Sequence, residues 1–313
     1  MQEKNFYIDV NGTKQNILVL YEELSNPILL IVHGGPGSPD RPLVRRYNSS
    51  LTKYFTVVCW DQRGAGLSFI EANTKEKLTI DLMLSDLKEL VLYFIREYHQ
   101  DKIYLAGHSW GAYLGLRFTK LYPQYIKYYI GTGQGISSFV DEIEKYNFVL
   151  QEATAKRDEK VIGKLQHFGT PVGMTYPNDT EQARAFVGKL VHKYGGYIHP
   201  NSNLNMRKYI SLYLQCYSKH ILQVLCGINY SVQFLNPEIN KEDKISEITS
   251  LDVPILLISG ERDFVCPVQT TKRWFENLQA PLKKFVVIEN AAHMVNFEQP
   301  DAWNQAVIQT LKD

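Results

Sequence analysis

The chain has 313 residues, 44% of them hydrophobic and 21% charged, a length that suits one large α/β unit or a core carrying an insertion. Its 34 basic and 33 acidic residues leave a formal charge of +1, so no overall field draws it to nucleic acid or to an anionic membrane, and a small neutral or zwitterionic partner fits better. The opening stretch MQEKNFYIDVNGTK lacks the pattern of a signal peptide, and no apolar run approaches the ~20 residues that span a bilayer, so a soluble, cytoplasmic protein with no membrane partner is expected.

In chain order, NFYIDV and NILVLYE flank Asn11-Gly12, a hairpin signal between two stretches of alternating apolar residues. PILLIV (27–32) follows, and FTVVCW (55–60), KIYLAG (102–107), YIKYYIG (125–131), VPILLIS (253–259) and KFVVIE (284–289) repeat its continuous apolar character. Such runs suit strands buried on both faces of a mostly parallel sheet. Between them, Ile80, Met83, Leu84, Leu87, Val91, Phe94, Ile95 and Tyr98 share one helical face behind Thr79, an expected N-cap. Strand and helix therefore alternate, which predicts an α/β, doubly wound sheet with its binding residues at the carboxyl ends of the strands. From about 136 to 245 the alternation stops and the chain becomes helical and rich in Tyr, Lys and Gln, with turn clusters at TPVGMTYPND and GGYIHPNSN. The expectation is a discontinuous core, 1–135 and 246–313, with an inserted helical cap over 136–245. Cys59, Cys216, Cys226 and Cys266 show no CxxC spacing, so free thiols are expected rather than disulfides or a metal site.

LAGHSWGAYLG (105–115) places Ser109 between a buried strand and a helix that Pro123 closes, the strand–turn–helix context of a nucleophile elbow. Gly107 and Gly111 lack Cβ atoms and let strand and helix approach around a strained serine. A serine hydroxyl needs a base to accept its proton, and the base needs an acid to fix its tautomer. Asp263 stands just past the strand VPILLIS and His293 just past KFVVIE, in the chain order Ser, Asp, His of the hydrolase elbow. Glu261 is a second choice for the acid, and Asp252 precedes its strand. Of the other histidines, His99 ends a helix; His167, His192, His199 and His220 lie in the helical stretch; His33 fits a loop-fixing role, and the elbow is expected to turn the His108 ring away. HGGPGSP (33–39) follows PILLIV at the same edge, so the backbone N–H groups of Gly35 and Trp110 are the expected oxyanion donors. No metal cluster or phosphate-cradling loop appears, and no cofactor is expected.

HGGPG (33–37), DQRGAGLS (61–68), GHSWG (107–111), GERD (260–263) and AAH (291–293) together resemble the prolyl aminopeptidase (proline iminopeptidase) branch of the α/β-hydrolases. The resemblance implies the α/β-hydrolase fold and a serine hydrolase that frees N-terminal residues from short peptides through an acyl-enzyme. Within DQRG, Asp61 and Arg63 are expected to brace their loop. The resemblance also implies glutamates on the cap, and in some members a glutamate directly after the triad aspartate, that hold the substrate amine. Here that last position is Phe264, no Asn-Glu pair occurs near 226–234, and Glu142, Glu144 and Glu152 are other cap acids. Phe264 and the Tyr-rich cap favour a second possibility, an esterase, amidase or lactonase acting on a small amine-free substrate. A third, a ligand-binding fold without catalysis, is opposed by the complete set of Ser109, Asp263, His293 and oxyanion elements.

Overall fold

Asn11 and Gly12 take φ of 45° and 77°, the two successive positive values that a tight hairpin requires, and join β1 (Gln2–Val10) to β2 (Thr13–Tyr21) in antiparallel register. The computed structural model describes residues 1–70, 77–241 and 244–313. After the hairpin come β3 (Ile28–Val32), α1 (Arg41–Tyr47), β4 (Thr56–Trp60), α2 (Ile80–Glu97), β5 (Ile103–His108), α3 (Trp110–Leu121) and β6 (Ile126–Thr132). Five α-helices follow, α4 (Ser138–Ala155), α5 (Glu159–Phe168), α6 (Thr180–Lys193), α7 (Met206–Tyr217) and α8 (Ile221–Ile239). The chain then returns to the sheet through β7 (Ile255–Gly260), α9 (Val268–Asn277), β8 (Lys283–Ile288), α10 (Val295–Glu298) and α11 (Pro300–Gln309).

The eight strands form one sheet in the order β1-β2-β4-β3-β5-β6-β7-β8. Every pairing from β4 to β8 is parallel, and the hairpin adds an antiparallel edge. Alternate residues of the central strands serve opposite faces: Ile28, Leu30 and Val32 join one apolar cluster with Leu87, Val91 and Phe94 of α2. Leu29 and Ile31 join the other, with Val295, Phe297 and Trp303. This two-residue period on a strand buried from both sides explains why the central strands read as unbroken apolar runs. The hydroxyl of Thr79 accepts the Leu82 N–H and so caps α2.

β8 departs from the expectation of burial on both faces. It ends the sheet, with β7 its one neighbour, and only Ile288 of the strand is buried. Lys283 and Lys284 occupy its exposed start, where charge discourages further strand pairing. The helices between β6 and β7 also divide: α4, α5 and α6 close around a core of their own that includes Phe148, Val149, Leu165 and Val187. Tyr213 and Tyr217 of α7, by contrast, pack into the cluster on one sheet face. Among the described residues no helix is long and apolar enough to cross a membrane.

Candidate active site

β5 ends at His108 and α3 begins at Trp110, so Ser109 alone makes the turn, with φ 54° and ψ −117°. A non-glycine residue there stores about 1–3 kcal/mol of strain. The turn is held from both sides, since Ser109 N–H donates to the Thr132 carbonyl at 2.9 Å and its own carbonyl accepts from Ala112 and Tyr113 at 2.9 and 3.0 Å. Although Ser109 occupies the N-cap position of α3, its side chain makes no capping bond. A Cβ on Gly111 would collide with the Val32 carbonyl, and one on Gly107 would come within 2.6 Å of Ala112 Cα, so strand and helix meet this closely only through glycines.

Asp263 follows β7 and is fully buried. Its Oδ1 accepts the Val265 and Cys266 N–H groups at 2.9 Å each, and its Oδ2 lies 2.9 Å from His293 Nδ1. The loop after β8 carries His293, which is also buried. Gly133, beside β6, makes room for the ring: a Cβ there would stand 2.9 Å from both Cε1 and Nδ1 of His293. Nothing in the sequence around Gly133 advertised this role, because the steric partner lies 160 residues away in the chain. Glu261, the weaker choice for the acid, instead accepts the Asn290 N–H at 2.8 Å.

The loop after β3 is tied down by His33, whose Nε2 accepts the Gln62 N–H at 3.2 Å while the Gln62 amide donates to the His33 carbonyl at 2.9 Å. Gln62 also accepts from the Trp110 indole at 2.9 Å, linking this loop to the elbow. Among the described residues, neither Gly35 N–H nor Trp110 N–H donates a hydrogen bond within the chain. Asp61 and Arg63 brace the neighbouring loop: Asp61 takes Arg41 Nε at 2.9 Å and Leu67 N–H at 2.9 Å. Arg63 grips Asp86 through Nε and Nη2 at 2.6 and 2.9 Å. Both ion pairs are buried, where loss of one partner costs about 3–5 kcal/mol.

Gly35, Ser109 and His293 border one cavity of about 140 Å³, and Gly35, Ser109 and Trp110 border a second of about 340 Å³. The His108 ring is not turned away; it lines the smaller cavity and its Nε2 lies 3.1 Å from the His293 carbonyl. The reason is strand alternation. Tyr104 and Ala106 face the same cluster as Phe297, and residue 108 continues that side, with its ring edge-on to Phe297 at 6.1 Å. Burial and the neighbouring His293 lower its pKa to about 3, while burial lowers that of His33 to about 4. His192, whose place in the helical stretch counted against it, also borders the smaller cavity, stacked on Tyr197 at 4.3 Å.

Glu142, Glu144 and Glu152, which the sequence left open as acids for a substrate amine, are engaged by other side chains. Glu142 accepts from the Tyr176 hydroxyl at 2.9 Å, Glu144 pairs with Arg273 at 3.0 Å, and Glu152 pairs with Arg262 and Lys156. Phe264 stacks on Phe148 at 3.9 Å. The carboxyl that does border the smaller cavity is Asp40, which is 4% exposed and has no side-chain hydrogen-bond partner on either oxygen among the described residues. It stands at the N-cap of α1 without capping it, and its Oδ2 is 3.9 Å from His108 Nδ1. Burial, and then the nearby Asp61 carboxylate, push its pKa well above the usual carboxylate range.

A family model described as alpha/beta hydrolase fold matches residues 27–300. The "probable aminopeptidase YbaC" of Bacillus subtilis is 28% identical over 300 residues, covering 94% of this chain and 91% of that protein. A proline iminopeptidase of Thermoplasma volcanium is 24% identical over 98% of this chain and 96% of its own. Among solved structures, a proline iminopeptidase-related protein of Thermus thermophilus superposes with a TM-score of 0.67 over 100% of this chain and 98% of that one, at 17% identity. The sheet order, the strained serine after β5 and these matches agree: the chain belongs to the alpha/beta hydrolase fold family, is similar over most of its length to proteins named as aminopeptidases, and is a hydrolase.

Proposed function

We propose that the protein is a serine peptidase that releases the N-terminal residue of short peptides through an acyl-enzyme. The observation that supports this most is the buried 2.9 Å pair of His293 Nδ1 and Asp263 at a cavity that Ser109 also borders. In this scheme His293 Nε2 takes the hydroxyl proton as Ser109 Oγ adds to the scissile carbonyl, and Asp263 fixes the tautomer and steadies the imidazolium. The oxyanion takes hydrogen bonds from Gly35 and Trp110 N–H, each worth ~10²-fold or more in rate. His293 then gives its proton to the departing amine as the C–N bond breaks. Water, deprotonated by the same imidazole, hydrolyses the acyl ester and restores Ser109. The helices of segment 136–245 act as the cap, and Asp40 receives the substrate ammonium, whose charge draws the carboxyl into its ionised form.

A second reading, an esterase, amidase or lactonase for amine-free substrates, is favoured by the stacked Phe264 and by the engagement of Glu142, Glu144 and Glu152 with other side chains. Prolyl and alanyl p-nitroanilides, their N-blocked forms and short p-nitrophenyl esters separate the two. Turnover of the free-amine anilides alone is the expected result, and turnover of esters alone favours the second reading. Ser109→Ala is expected to lower kcat on the order of 10⁶-fold; near-native activity in that variant rules out Ser109 as the nucleophile.

A further inference from the structure

The larger cavity beside Ser109 and Trp110 has an electrostatic character that the chain as a whole lacks. Among the described residues, Lys145 of α4, Arg184 of α6 and Lys244 beyond α8 line it, with Asp141 as the one carboxylate in the lining, although the whole chain carries only +1. The cations come from three separate parts of the helical segment, so their convergence is a property of the folded site and not of a basic stretch of sequence. Lys145 and Arg184 make no hydrogen bond or ion pair among the described residues. Arg184 goes further: its Nε is buried with no hydrogen-bond partner among the described residues. A guanidinium with a desolvated and unused donor is costly, and an anion that accepts from it removes that cost. A planar guanidinium also matches a carboxylate in two parallel hydrogen bonds, and the Lys145 ammonium lining the same cavity adds positive charge.

Building on the reading of Ser109 as a nucleophile, we infer that this cavity holds the free C-terminal carboxylate of the substrate, between Lys145 and Arg184. The substrate class is then a di- or tripeptide with both ends free. The larger cavity, about 340 Å³, lies at the small end of the range for small-molecule pockets, and the smaller adds about 140 Å³ beside Ser109, as such a peptide requires. Chain length is selected by charge, since a longer peptide carries an amide where the cavity offers cations.

The test compares dipeptides as free acids with the same dipeptides amidated at the C-terminus. Wild-type kcat/KM is expected to favour the acid by about 10-fold or more, the value of one charge-assisted hydrogen bond. Arg184→Gln and Lys145→Gln each lower kcat/KM on the acid by about 10-fold more than on the amide, and Arg184→Lys, which keeps the charge but loses the planar guanidinium and its Nε donor, retains only part of the preference. Labelling of Ser109 by a fluorophosphonate, with Ser109→Ala as the blank, reports on the nucleophile separately, and the concentration of acid or amide that halves the labelling rate reports on binding. Labelling that proceeds while acid and amide are cut and protect equally, or while neither is cut or protects, overturns the carboxylate site and leaves the nucleophile standing. Loss of preference for the acid in the charge variants, with labelling intact, supports it. Absence of any labelling overturns the reading of Ser109 and this inference with it.

Discussion

Asp263 and Asp40 are both buried carboxyls beyond the carboxyl ends of strands, one after β7 and the other after β3, yet their surroundings are opposite. Asp263 accepts two backbone N–H bonds and faces His293, so its oxygens are used within the chain. Asp40 has no hydrogen-bond partner on either oxygen among the described residues and sits where its side chain would ordinarily cap a helix, without doing so. A carboxyl satisfied by the fold holds another group in position. One left unsatisfied beside a cavity costs stability until a ligand supplies what it lacks. The contrast separates a positioning acid from a recognition acid, and each variant below tests one side of it.

The largest effect belongs to the satisfied acid. Asp263→Asn retains the shape but replaces the acceptor facing His293 Nδ1 with an amide that can present an N–H there, so the imidazole adopts the wrong tautomer. A loss in kcat of about 10⁴-fold is expected with KM little changed, following the behaviour of triads in general. Steady-state kinetics on a prolyl anilide decide the matter. A loss below tenfold would show that the carboxylate only packs.

The same contrast explains what the sequence could reveal. The turn at Ser109 and the meeting of Asp263 with His293 were legible because each residue stands in the segment that follows an apolar strand, and in a parallel sheet such segments gather at one edge. The glutamates of segment 136–245 could not be placed from sequence, because a glutamate in a helix names neither its partner nor its direction, and Tyr176, Arg273 and Arg262 claim Glu142, Glu144 and Glu152 across the fold. Asp40 was invisible for the converse reason: Asp-Arg-Pro at a helix start reads as a capping residue, and only the folded side chain reveals that it does not cap. Gly133 and the His108 ring depend on His293 being brought to them, which local pattern does not encode.

Asp40→Asn probes the unsatisfied acid and is expected to move activity and stability in opposite directions. Removing the acceptor lowers kcat/KM for substrates with a free amine by about 10- to 100-fold, the range for a hydrogen bond to a charged group, while N-blocked substrates are affected less. The folded carboxyl binds its proton more tightly than the unfolded one, because burial raises its pKa. Wild-type stability from this group therefore falls as pH rises above the unfolded value, and the asparagine variant, with nothing to ionise, is more stable at pH 7. Urea denaturation at pH 7 reads the gain. A less stable variant with unaltered amine preference would mean that Asp40 serves the loop and not the substrate.

The smallest effect concerns His33 and His108, which test whether acid sensitivity comes from the carboxyls at all. Both are buried and held neutral, with pKa values lowered from 6.5 to about 4 and about 3. Below the unfolded value of 6.5 the unfolded chain takes up protons that the folded one refuses, so stability is full above that pH and declines as pH falls toward the folded values. The sign is opposite to that of Asp40. Each histidine is expected to withdraw about 2 kcal/mol between pH 7 and pH 5, from 1.36 kcal/mol for every unit below 6.5. Substituting His108 by glutamine keeps a polar side chain but removes the titration, so the drop in unfolding free energy over that interval should shrink by that amount. An unchanged slope would show that water reaches the His108 ring. The fold would then tolerate its charge, and the wall shared with Asp40 would be wetter than its missing hydrogen bonds imply.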